Sequence, residues 1–104
     1  MKILTICAVT GMFAFSAIAH EGAHAQQDQR GRDLALTCTG CHATNGRSAS
    51  GMPSIAALDQ AYIVKQMNDF KSGARAATVM HQIAKGYNDE QIALLAAYFS
   101  AQKN

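Results

Sequence analysis

An all-helical domain is what this chain predicts, on three observations. No segment sustains the apolar–polar alternation of a strand. Apolar residues recur at helical spacing in two stretches, Ile63, Met67 and Phe70, then Ile92, Leu95, Ala96 and Phe99. Residues that start and stop helices stand at the ends of those stretches. With 104 residues, 49% of them hydrophobic, there is enough chain for one small domain.

The hydrophobic share is inflated at the front. Lys2 precedes an uncharged run from Ile3 that closes on Ala17-Ile18-Ala19. A positive start, an apolar centre and a small-residue end describe a cleavable secretory leader over residues 1–19, and Ala23-His24-Ala25 offers a second cleavage point. A membrane anchor is the competing reading, because the run nearly suffices to span a bilayer. Thr5, Thr10, Gly11 and Ser16 interrupt it and favour cleavage. Cys7 sits near the start of the leader, whereas a lipid-modified cysteine would stand at its end. It is therefore expected to be lost, and the remaining chain, about 85 residues long, keeps only Cys38 and Cys41.

The elements follow in order. Residues 20–29, His20 to Gln29, are polar without helical periodicity and read as a flexible lead-in to a domain over 30–104. A short helix from about Arg30 carries Leu34 and Ala35 into Cys38. The stretch from Asn45 to Pro53, rich in glycine and serine and holding the single proline, is a loop. Asp59 is an N-cap, with Leu58 and Ile63 spaced as a hydrophobic staple around it, and Gly73 stops the helix that follows. A shorter helix spans Thr78 to Lys85 and closes at Gly86. The last begins at Asn88, with Gln91 three residues on as in a capping box.

The chemistry is concentrated in Cys38-Thr39-Gly40-Cys41-His42. Two cysteines separated by two residues and followed at once by histidine form the attachment signature of a c-type haem. Each thiol adds to one of two vinyl groups, and the adjacent imidazole is carried beneath the iron as the proximal ligand. Two other readings compete. A zinc half-site lacks a second cysteine pair. A redox-active dithiol, or a haem-free module using the pair as a disulfide, usually belongs to a mixed fold and would leave this chain a thin core. For a sixth ligand the candidates are Met52, Met67 and Met80. Met67 shares the stripe of Ile63 and Phe70, which suits core packing. Met52 lies close to the proximal motif, on the wrong side of the ring. Met80 is far enough downstream to reach the opposite face and is the expected ligand. His81, about 100° away around a helix, is the rival and is expected to be exposed. His20 and His24 are expected to be solvated.

These residues together resemble the class I cytochrome c family. The likeness rests on Cys38 to His42 near the start, Pro53 after a glycine-rich loop, Gly73-Ala74-Arg75 before Met80, and the closing helix. It implies about four short helices wrapped around one covalent haem c, with Cys38 and Cys41 as thioether links and His42 and Met80 as iron ligands. It further implies that the Pro53 carbonyl takes a hydrogen bond from the His42 ring, and that the first helix, near Gly31 and Leu34, crosses the last near Leu95 and Phe99. Arg75 and Tyr62 would reach the propionates; a solvated arginine and a half-buried tyrosine is the other reading. One departure is Ala43, where many relatives have glycine. Within the family, Tyr62 through Phe99 is similar to the cytochrome subunits of flavocytochrome c sulfide dehydrogenases.

The function so implied is outer-sphere electron transfer in the periplasm, with a flavoprotein dehydrogenase as a donor and no substrate chemistry of the chain's own. An open or labile sixth position would instead make a haem enzyme or sensor. Charge adds little. The net charge of +2 falls to about +1 once Lys2 is lost, which argues against nucleic acid and against strong steering of partners.

Overall fold

The computed structural model describes residues 18–103. The leader expected over 1–19, Cys7 included, lies outside these residues except for Ile18 and Ala19. Five helices follow one another: α1 (Ile18–Ala35), α2 (Thr39–His42), α3 (Gln60–Ser72), α4 (Met80–Ala84) and α5 (Asp89–Ser100), with a 3₁₀ turn at Thr44–Gly46. Among the described residues there is no strand, and no helix is long and apolar enough to cross a membrane.

Local chemistry starts and stops the helices. Asp59 caps α3 by accepting from the Tyr62 N–H at 3.0 Å, and Gly73, at φ 84°, ends it in the left-handed conformation that glycine adopts without strain. Asn88 and Gln91 complete a capping box at α5, each side chain accepting from the other's backbone N–H at 2.9 Å. Such a cap is worth about 1 kcal/mol.

Two expectations are corrected. The first helix does not begin near Arg30: it begins at Ile18 and runs through residues 20–29, read as a polar lead-in. Residues 21–30 are all exposed, so no apolar face was available to announce this stretch. Its helicity rests on local terms such as the i,i+4 hydrogen bond from Gln29 to Asp33, 2.8 Å. Second, α4 starts at Met80 rather than Thr78, because Val79 is non-helical at φ −134° and ψ −38°. The first helix crosses the last where expected, with Gly31 against Leu94 and Tyr98 while the adjacent Leu95 and Phe99 turn into the core beside Leu34. A Cβ at Gly31 would stand 2.9 Å from the Leu94 carbonyl oxygen, so the absent side chain is what lets the two backbones cross.

α5 is the centre of the arrangement. α1 packs on one side of it and α3 on another, with α4 against α3. Ile92, Leu95, Ala96 and Phe99 of α5 are buried and meet Ala35 of α1, Ile63 and Met67 of α3, and Ala84 of α4. The connection between α2 and α3 is pinned at its far end, where the Ala57 N–H donates to the Phe99 carbonyl at 2.9 Å.

Candidate haem site

The motif cysteines sit one helical turn apart. Cys38 precedes α2, and its carbonyl accepts from the N–H groups of Cys41 at 3.2 Å and His42 at 2.9 Å. Both thiols are free; Cys38 is half-buried and Cys41 exposed. Burial pushes the Cys38 thiol above its ordinary range, and the neighbouring Cys41 acts in the same direction.

His42 is the buried polar residue of the core, 8% exposed. Its Nδ1–H donates to the Pro53 carbonyl at 2.7 Å. A carbonyl only accepts, so the proton resides on Nδ1 and Nε2 keeps its lone pair for a metal. The chain leaves α2 through Ala43 at φ 63° and ψ 173°, a backbone region that suits glycine, and the missing glycine therefore has a strain cost.

Around these groups lies a cleft of about 500 Å³ whose surface is mostly apolar. The Cys38–His42 segment and the Met52–Ile55 loop form one wall. α3 contributes Tyr62, Ile63, Gln66, Met67 and Phe70, and the stretch from Arg75 to Met80 closes the remaining side. His42 and Met80 both line the cleft and come from different elements, His42 from α2 and Met80 from α4.

The expected site residues Cys38, Cys41, His42, Met80, Pro53, Arg75 and Tyr62 thus all line one cleft. Tyr62 is 48% exposed and lies at its edge, as does Arg75. Met67 lines the cleft and is buried in the core as well, and Met52 is 41% exposed beside Pro53. His81 departs from expectation. It is half-buried rather than exposed, with Nδ1 buried and unpartnered, and it does not line the cleft. His24 is exposed. Gln66 was missed. Its one signal is a polar amide set between Ile63 and Met67 on the apolar stripe of α3.

What would suit these walls is a flat, largely apolar group that the two thiols could tether and that an imidazole and a thioether could ligate. The volume lies in the range of ordinary cofactor sites, and the nitrogen–sulfur donor pair suits iron in a haem. Such an architecture defines a small haem-binding helical domain. A sequence model of the cytochrome c family matches residues 29–103, and the chain belongs to that family. Its cofactor is accordingly one covalently attached haem c.

The chain is similar to the cytochrome subunit of sulfide dehydrogenase from Chlorobaculum tepidum, at 49% identity over 72 residues, covering 69% of this chain and 66% of that one. It is also similar to the thiosulfate dehydrogenase electron acceptor of Stutzerimonas stutzeri, at 33% identity, covering 86% of this chain and 43% of the relative. Among solved structures, reduced cytochrome c4 from Pseudomonas stutzeri superposes with a TM-score of 0.68 at 28% identity, covering 76% of this chain and 50% of that one. The chain spans less of these relatives than they span of it.

Proposed function

We propose that this chain is a mono-haem c-type cytochrome that carries single electrons outside the cytoplasm, as a carrier or as a cytochrome subunit, and that it accepts them from a dehydrogenase. The observation that supports the reading is that His42, its Nδ1 held by the Pro53 carbonyl, and Met80 line one apolar cleft from different elements. When bound, the haem supplies a reversible one-electron change at its iron.

The chain's own residues set the terms. Cys38 and Cys41 tether the group through thioethers, so it cannot dissociate. His42 would hold the iron as the proximal ligand, its ring oriented by the carbonyl of Pro53, as partners behind a metal ligand do. Met80 would be the second ligand, and a bound thioether there would favour electron transfer over chemistry on a small molecule. A thioether also favours the reduced state relative to a second imidazole. Tyr62 and Arg75 stand at the edge, where acidic substituents would emerge.

The leader supports export and a periplasmic site of action. The two relatives, one named as a subunit of sulfide dehydrogenase and the other as the electron acceptor of thiosulfate dehydrogenase, support a sulfur-compound dehydrogenase as donor. A flavoprotein of the sulfide dehydrogenase type is the specific partner proposed.

The test is the visible spectrum of the exported holoprotein and of Met80→Ala. The native protein should show a low-spin spectrum with a weak far-red band lost on reduction and haem that resists acid-acetone extraction. Met80→Ala should become high-spin and bind cyanide. A native protein already high-spin and cyanide-binding would overturn the assignment in favour of an open-site enzyme or sensor.

A further inference from the structure

Among the described residues, Arg75 is the single Lys or Arg lining the cleft, and neither Asp nor Glu lines it. One positive charge beside a redox centre in apolar surroundings acts on its potential, because a cation favours the form with less positive charge. Its effect depends on how firmly it is held. A long side chain on a connecting segment ordinarily keeps much of its rotamer freedom.

Here one backbone contact and two side-chain contacts restrict it, although Arg75 is exposed. The turn at Gly73 brings the Arg75 N–H onto the Asp69 carbonyl at 3.1 Å. The guanidinium carbon lies 4.6 Å from the centroid of the Phe70 ring, a cation–π arrangement. Arg75 Nη1 donates to Gln66 Oε1. Gln66 and Phe70 are four residues apart on α3 and therefore share a face, and both line the cleft. The acceptor is also neutral. A glutamate in the same place would hold the arginine equally well but would cancel its charge.

We infer that Gln66 is a positioning residue: its neutral amide oxygen, with the Phe70 ring, holds the Arg75 guanidinium at the edge of the cleft without a protein carboxylate to offset its charge, and this raises the reduction potential. The inference rests on the chain being the haem cytochrome proposed above.

The experiment is a spectroelectrochemical titration of the holoprotein and of Gln66→Leu, Arg75→Leu, the double variant and Gln66→Glu. Arg75→Leu should lower the midpoint potential, and Gln66→Leu should lower it by a smaller amount. In the Arg75→Leu background, Gln66→Leu should add nothing measurable, since residues acting as one unit are not additive. Gln66→Glu should lower the potential more than Gln66→Leu. Three results overturn the inference: an unmoved potential in Arg75→Leu, an unmoved potential in Gln66→Leu, or an equal shift from Gln66→Leu in both backgrounds. Should Gln66→Leu fail to retain haem, Gln66→Glu, of nearly the same shape, decides alone; an unmoved potential there overturns the inference. The spectrum of each sample separates the two readings. A low-spin protein with unmoved potentials removes only the role of Gln66, whereas a native protein lacking the low-spin spectrum removes the cytochrome assignment itself.

Discussion

The carbonyl of Gly46 accepts three hydrogen bonds, from the N–H groups of Ile55 at 2.8 Å and Ala56 at 3.2 Å and from Ser54 Oγ at 2.9 Å. It closes the loop that carries Pro53 to His42. Gly46 is itself at φ 76°, and a Cβ there would lie 2.7 Å from Ile55 Cγ1 and 2.8 Å from Phe99 Cδ1. Gly46→Ala therefore combines a left-handed backbone with overpacking, and the two together should cost about 2–4 kcal/mol. A denaturant titration of the holoprotein checks this; a midpoint equal to the native one would show that the loop yields freely and does not brace the ligand.

At the scale of elements, the crossing of α1 and α5 depends on one absent side chain. Their polar contact is the exposed Arg30–Glu90 pair at 3.0 Å, which contributes at most about 1 kcal/mol. Gly31→Ala gains about 1 kcal/mol of helix propensity but sets a methyl 2.9 Å from the Leu94 carbonyl oxygen. Two backbones give way less easily than a side-chain tip, so the clash should win and stability should fall by about 1–2 kcal/mol net. The contrast is Gly22→Ala in the exposed part of α1, where nothing lies within 4 Å. The same substitution there should raise helix content by circular dichroism and leave the global unfolding midpoint unchanged. A stabilised Gly31→Ala would mean that the helices do not meet as described.

For the molecule as a whole, the buried core is thin. Of nine buried hydrophobic residues among those described, four are alanine, and only Phe99 and Ile92 are large and below 2% exposed. A domain this small needs a staple, and its apolar cleft walls give haem that part. Removing both attachment points with Cys38→Ser and Cys41→Ser should abolish cooperative unfolding and most of the helical circular dichroism signal. A variant chain that still unfolds in one sharp transition without haem would show that the core suffices alone.

Much of this was legible in the residues. The caps at Asp59, Asn88 and Gln91, the stop at Gly73, the stripes of α3 and α5 and the Cys38–His42 spacing all depend on neighbours within about one helical turn, so the order of the strings carries them. Tertiary contact decided the rest. The polar first half of α1 has no apolar face for a pattern to report, and α4 lost its first residues to the backbone of Val79. Whether Leu94 or Leu95 meets Gly31 depends on how two helices rotate against each other, and the reach of Arg75 to Gln66 and Phe70 depends on the path after Gly73. By itself the sequence determined the helical class and the haem motif, because those rest on local chemistry. Which side chains share the cleft, and which amide steadies its one cation, was decided by packing between segments distant along the chain.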